Sequence, residues 1–369
     1  MKKYKNKLKS MDFPLIIILI LLVFFGLIAV TSASYPEGVK NFDGDGFYFA
    51  KRQLIFSILG FIGVIVVSKL PRKTIRNLSG IGFIVGIFLI FALWTPLGWG
   101  KYGQIRWIRI PSSSFKFQPS DILKITSIVY MAKLLDINKK NMGNSYTFYS
   151  LVLIMAISVV PIMLKDLSTA VVIGISLFSM YFVGGIKSHQ FVTLLGIGGA
   201  SIVPMIVLFP YRIKRMFSFF TDSGTLTKDK YQITQSLYAI AMGGFGGVGL
   251  FHSRQKYSNV PLAYNDFIFP IICEEFGIIG AIFLIFLFFM LIYRGYLIAY
   301  KAKNYYDKYV AVGITTYIGI QAIFNLGVGC GLFPVTGITL PFISYGGTSL
   351  MLTMISIGLL LRISRDVEE

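Results

Sequence analysis

Cysteine and histidine are almost missing from this chain of 369 residues, with only Cys273, Cys330, His189 and His252 present. Both cysteines lie in or near apolar runs, so no disulfide framework is expected. The isolated histidines give no metal-ligand spacing, and no metal centre is expected. Acids are scarce too, 16 Asp and Glu against 35 Lys and Arg, for a formal net charge of +19. No Lys/Arg-rich domain accompanies that excess. The charges sit in short stretches between apolar runs, which argues against a nucleic-acid partner and for a membrane surface. Internal repeats and low-complexity linkers are missing as well, so residues 1–369 read as one domain.

What is abundant is hydrocarbon. The chain is 55% hydrophobic, in repeated runs about as long as the ~18 residues that cross a bilayer. The runs are continuous rather than alternating, so helices are expected and strands are not. The fold class is all-α: a polytopic membrane protein with ten spans near 13–32, 52–70, 78–97, 120–135, 148–164, 167–184, 190–210, 266–292, 309–327 and 344–362. Only Lys165 and Asp166 separate the fifth from the sixth. The first span has the lysine-rich start of a signal peptide, but Phe13 to Val30 exceeds the usual h-region and reads as a retained helix. With the N-terminus inside, 19 basic residues fall on the inner side and 16 on the outer. Seven of the outer ones belong to a single long loop, 211–265, between helices 7 and 8. Long loops count little in the positive-inside rule, so both termini are expected in the cytoplasm. The outer excess then calls for an anionic ligand. A loop of this length, basic and rich in glycine, is expected to be mobile without that ligand and more ordered with it.

Asp266 stands where this loop meets an apolar run, and an acid at the rim of a membrane is a functional candidate. Two readings are compatible. Asn265 and Asp266 can cap the eighth span, or Asp266 can act as a general base toward a hydroxyl. Glu274 and Glu275 follow eight and nine residues later, roughly 12 Å along a helix, too far for a close carboxylate pair with Asp266. They are expected to satisfy buried polar groups or to pair with a basic residue of another helix. A second candidate region is Gly100–Lys124. Gln118-Pro119-Ser120-Asp121 starts a helix, and Asp121 can pair with Lys124 three residues on. Arg106-Trp107-Ile108-Arg109 fits headgroup anchoring and equally a guanidinium clamp on a pyrophosphate.

Gly244–Gly249 formally matches G-x-G-x-x-G, but no strand–helix unit surrounds it. Close packing or backbone N–H groups aimed at phosphate explain it better than dinucleotide binding. In Gly331–Ser349, prolines and glycines break the chain before the last span. There Ser344, Tyr345, Thr348 and Ser349 can donate to a sugar or phosphate, or satisfy the broken backbone.

These stretches carry a resemblance. RWI with FQPSDILK at 106–124, KDLSTA at 165–170, YQITQSLYAIAMGGFGGVGL at 231–250, SRQKY at 253–257, NDFIFPIICEEFGIIG at 265–280 and GLFPVTGITLPFISYGGTS at 331–349 resemble the SEDS proteins FtsW, RodA and SpoVE. SRQKY is more similar to FtsW and SpoVE. The resemblance runs from about residue 100 to the end. It implies a peptidoglycan glycosyltransferase that polymerises lipid II by inverting transfer at the outer face of the bacterial cytoplasmic membrane. Asp266 would be the base, and Arg106, Trp107 and Lys124 would bind substrate. It also implies a class B penicillin-binding protein transpeptidase and cell-division or sporulation proteins as partners. It fixes no cofactor; a divalent cation, Mg or Mn, is the one candidate and would add to the charge on the pyrophosphate. A lipid II flippase and a non-catalytic scaffold for the transpeptidase are the alternatives. Where relatives commonly read Pro-Glu-Ala-His, this chain has Pro261-Leu262-Ala263-Tyr264, which puts a second acid or a histidine relay there in doubt.

Overall fold

The computed structural model describes residues 11–367 apart from 102–103, 110–115, 208, 210–211, 214, 216–218, 220–227 and 258–262. Each of the ten expected spans coincides with a helix: α1 (Phe13–Asn41), α2 (Tyr48–Lys69), α3 (Arg72–Phe91), α4 (Pro119–Asn138), α5 (Ser145–Lys165), α6 (Leu167–Val183), α7 (Ser188–Val207), α9 (Ile268–Lys301), α10 (Tyr305–Gly329) and α11 (Gly347–Ser364). Eight of these are long and apolar enough to cross a membrane. The other two are α6, which is apolar but short, and α4, which carries Asp121, Lys124, Lys133 and Asp136. Lipid-length apolar helices therefore establish a polytopic membrane protein, and the full count of ten rests on these two additional helices.

Two features depart from the expected layout. The first is α8 (Lys228–Gly243), a helix inside the stretch read as loop 211–265. Most of the rest of that loop before α8, and residues 258–262 after it, fall outside the described residues, as does most of the ground for the expected mobility. The second is a three-stranded antiparallel sheet between α3 and α4: β1 (Gly98–Lys101), β2 (Gln104–Arg109) and β3 (Lys116–Phe117). It converts an expected loop into a rigid support for Arg106 and Trp107.

Helix α9 is broken. Gly277 has φ 64° and ψ −164°, which interrupts the helix inside an apolar run. Lipid cannot satisfy the freed backbone groups, and the glycine segment after α8 does so instead. Ile278 N–H donates to the Gly244 carbonyl at 3.0 Å, and Val248 and Gly249 N–H donate to the carbonyls of Glu274 and Glu275 at 2.9 and 3.1 Å. The approach is so close that a Cβ on Gly247 would lie 2.2 Å from the Glu275 carbonyl oxygen. Of the two readings of this glycine segment, close packing is the one the structure supports.

Glu274 and Glu275 are fully buried at the same level. Glu275 pairs with Lys256 at 2.8 Å and accepts from Ser32 of α1 at 2.6 Å. Glu274 accepts from Ser253 Oγ and from the Arg254 N–H. The cation sits in the segment before α9 rather than on another helix. Glu274, Glu275 and Lys256 thus each have a partner, in the segment before α9 or on α1, as a hydrocarbon surround requires.

The ends expected on the inner side do converge. Asp12, which caps α1 through Leu15 N–H, pairs with Arg294, and its own N–H donates to Ser364. Arg76 pairs with Asp136 at 2.9 Å, and Arg362 with Asp307. The acid at the start of α1 and the end of α11 thus share one face of the bundle, and the site described next lies at the opposite helix ends.

Candidate active site

A cavity of about 390 Å³ opens between the sheet, the first turns of α4 and α11, and the 337–339 backbone. Its walls carry four cations, Arg52, Arg106, Lys116 and Lys124, and two acids, Asp121 and Asp266. The first turn of α11 adds Gly347, Thr348 and Ser349, so the positive end of an 18-residue helix faces the same space.

Asp266 is held by its backbone. The Asn325 amide of α10 donates to the Asp266 carbonyl at 2.9 Å and to the Ile338 carbonyl at 2.7 Å, tying the two segments together. The helix behind Asp266 starts later than expected. Its N-cap is Phe267, and no side chain caps it. The capping reading of Asp266 is thereby removed, and the carboxylate is left to face the cavity. Burial pushes its pKa up to about 6, with Arg106 pulling it down, Asp166 pushing it up and Arg215 pulling it down. Such a carboxyl is poised to exchange a proton near neutral pH.

Arg106 projects from β2. Its Nε lies 3.2 Å from Asp166, and its two terminal nitrogens reach the carbonyls of Gly337 and Thr336, both at 3.4 Å. Asp166 caps α6, accepting from the Thr169 N–H and hydroxyl at 3.3 and 2.9 Å. The guanidinium is thus oriented by one charged partner, while its contacts to carbonyls are long and easily exchanged for phosphate oxygens. Gly337 separates Arg106 from Asp266. A Cβ placed there would lie 2.8 Å from Arg106 Nη1 and 3.5 Å from Asp266 Oδ2, and its φ of +74° favours glycine. Gly337→Ala is therefore expected to lower turnover at this site at least about tenfold, through displacement of the arginine, with the protein still folded. Turnover of the purified variant, set beside its thermal unfolding, checks this.

Of the other expected site residues, Trp107, Tyr345, Thr348 and Ser349 line the cavity. Trp107 packs edge-on to Trp99, whose ring carries Lys116 Nζ at 3.4 Å. Tyr345 hydrogen-bonds Arg52, and burial raises its pKa, so it remains a neutral phenol. Lys124 lines the cavity with Nζ already bonded to Asp121 at 3.1 Å and Gln321 at 3.0 Å. Ser344 is not brought to the cavity. Its hydroxyl donates to the Asn265 carbonyl and accepts from Leu340 N–H, so it satisfies the broken backbone. Arg109 is exposed and lies outside the lining.

Sequence reasoning passed over Arg52, Asp166 and Gln321. For Arg52 the available signal was a charge opening an apolar run. For Asp166 it was an acid between two spans with no loop, matching KDLSTA but given no role. Gln321 gave only a single polar residue in an apolar helix.

A cavity at one end of the helix bundle, in which four cations and a helix N-terminus share a space with Asp121 and the desolvated Asp266, belongs to a polytopic membrane protein. Comparison with known proteins makes this specific. The cell cycle protein model of FtsW, RodA and SpoVE matches residues 13–369, and the chain belongs to that family. It is 39% identical over 363 residues to the stage V sporulation protein E of Bacillus subtilis, covering 98% of both chains. It is 36% identical over 365 residues to the probable peptidoglycan glycosyltransferase FtsW of Coxiella burnetii, covering 97% of both. Among solved structures, a chain from a peptidoglycan synthase complex that coordinates polymerization and crosslinking superposes with a TM-score of 0.80 at 25% identity, over 97% of this chain and 98% of that one. The rod shape determining protein RodA of Thermus thermophilus gives 0.70 at 22% identity, over 98% of each, and supports the fold.

Proposed function

We propose that this chain is a peptidoglycan glycosyltransferase that polymerises lipid II at the outer face of the bacterial cytoplasmic membrane, with both termini inside and Asp266 as general base. The observation that carries the reading is the cavity itself, in which a carboxylate with a raised pKa faces cations and a helix N-terminus. The Asp266 carboxylate takes the proton from the sugar 4-hydroxyl of the acceptor. That oxygen bonds to the donor's anomeric carbon from the face opposite the pyrophosphate. The carbon–oxygen bond to the pyrophosphate breaks, and undecaprenyl pyrophosphate leaves with the electron pair. Positive charge aimed at the leaving group lowers this barrier most. Arg106 and Arg52, which line the cavity, would provide it with the Lys116 ammonium and the first turn of α11.

No three His, Cys, Asp or Glu side chains gather as a cation site among the described residues. A divalent ion, Mg or Mn, would thus arrive on the pyrophosphate rather than be held by protein ligands alone. Titrating EDTA into the assay reads whether an ion is needed: activity that falls with chelation and returns with added metal shows a requirement, and activity unchanged by EDTA shows none. The partner suited to such a polymerase is a class B penicillin-binding protein transpeptidase, which would crosslink the emerging strand. A flippase would need a polar path through the membrane, but the carboxylates at depth, Glu274 and Glu275, are locked to Lys256, Ser32 and Ser253.

The base assignment fixes the pH dependence. Asp266 works deprotonated, so kcat/KM should fall tenfold per pH unit well below about 6 and level off above it. A profile flat down to the ordinary carboxylate range would show that Asp266 does not carry the raised pKa, and one that stays flat below that range would remove it as the base.

A further inference from the structure

Among the described residues between α7 and α8, Arg215 is the one bonded to the backbone beside the site. Arg215 Nε lies 3.0 Å from Asp229 Oδ2, in the first turn of α8, and its Nη1 donates to the Val335 carbonyl at 2.8 Å. The next two carbonyls, Thr336 and Gly337, receive Arg106. Two guanidiniums from distant parts of the chain therefore grip three successive carbonyls, and the last belongs to the glycine between Arg106 and Asp266.

We propose that Arg215 and Asp229 are positioning residues for the transfer reaction, bracing α8 against the 335–337 backbone and so fixing the spacing between Arg106 and Asp266. The proposal rests on the reading of Asp266 as the base. Its geometry is a closed ring. Asp266 leads into α9, and α9 is bonded to the glycine segment that ends α8. Asp229 at the other end of α8 holds Arg215, Arg215 holds Val335, and Asn325 ties Ile338 back to Asp266. Opening the ring at Arg215–Asp229 removes the link from the start of α8 to Val335, while Ser236 still donates to the Gly329 carbonyl of α10 and the glycine segment still holds α9, so the bundle stays in place. The pair itself adds little stability, because both side chains are more than a quarter exposed and such pairs are screened. A small displacement of reacting groups, by contrast, is costly in rate.

Arg215 also contributes charge. Asp266 is faced by Arg106 from β2, Asp166 from the cap of α6, and Arg215. Across the cavity stand Asp121 and Lys124 of α4, Arg52 of α2 and Lys116 of β3. Of the nearer cations, Arg215 is the one carried by the segment that α8 anchors.

The test uses the full-length purified chain with lipid II and compares Asp229→Asn, Arg215→Lys and Arg215→Met with wild type across the acid limb. Asp229→Asn should lower kcat about ten- to a hundredfold, with KM for lipid II and the acid limb unchanged. Arg215→Met should show the same fall and move the acid limb to higher pH, because a cation that favours the Asp266 carboxylate is gone. Arg215→Lys should keep the limb in place and recover part of kcat. Wild-type kcat in both Asp229→Asn and Arg215→Met overturns the proposal. So does a loss in Asp229→Asn that is matched by lost lipid II binding or lost thermal stability, which would mean a structural contact only. An Asp266→Asn control keeps the two readings apart. If it is inactive while the Arg215 and Asp229 variants behave as wild type, the brace alone is wrong. If it is active, the reading of Asp266 falls first.

Discussion

Asp266→Asn is expected to lower glycan polymerisation by about 10²- to 10⁴-fold, the usual contribution of a positioned base, while expression and lipid II binding persist. Asparagine keeps the shape of the side chain, and the backbone at this position is held from outside by the Asn325 amide, which the substitution does not touch. No capping bond is lost, because Asp266 caps nothing. The change is confined to the ability to accept a proton at a desolvated site facing the cavity. Near-normal polymer on a gel from the asparagine variant would show that another group takes the proton.

Arg106→Ala should cost about tenfold or more in kcat/KM, since a charge-assisted bond to a phosphate oxygen contributes roughly 1.5–3 kcal/mol. Two further consequences distinguish this arginine from a headgroup anchor. Removing it leaves buried Asp166 without its guanidinium partner, and it removes the cation that most lowers the pKa of Asp266. The acid limb of the pH profile should therefore move upward together with the loss in rate. Arg106→Lys should recover only part of the activity, because an ammonium cannot span Asp166 and two carbonyls with a planar fork. Identical kinetics for Ala and wild type across lipid II concentrations would leave Arg106 as an interfacial anchor.

What could be read beforehand followed from simple physics. Spans show as runs of hydrocarbon, and Asp266 shows as a charge at the end of such a run, where desolvation makes an idle charge expensive; Arg106 shows as one of two arginines flanking Trp107-Ile108, and a site role for Lys124 comes only from the family resemblance. What escaped needed the third dimension. β2 is six residues with glycines and arginines around it, too short and too polar to announce a strand, and it forms because β1 pairs with it. The break at Gly277 hides in an apolar run, since its partners, Gly244 and Phe245, lie more than thirty residues upstream. Ser344 was open to two readings because a hydroxyl near a broken helix serves either purpose, and only its contacts to Asn265 and Leu340 decide. Arg52 and Asp166 joined the site through packing of α2 and α6, which no local pattern encodes.

A polymerase of this kind makes glycan strands by itself. Purified protein in detergent or vesicles, given labelled lipid II and no other enzyme, should yield polymer that a muramidase digests and that Asp266→Asn does not produce. Translocation of lipid II across vesicles without any polymer would instead describe a transporter. Polymer appearing only when a separate polymerase is added would describe a scaffold, and either result would contradict the account.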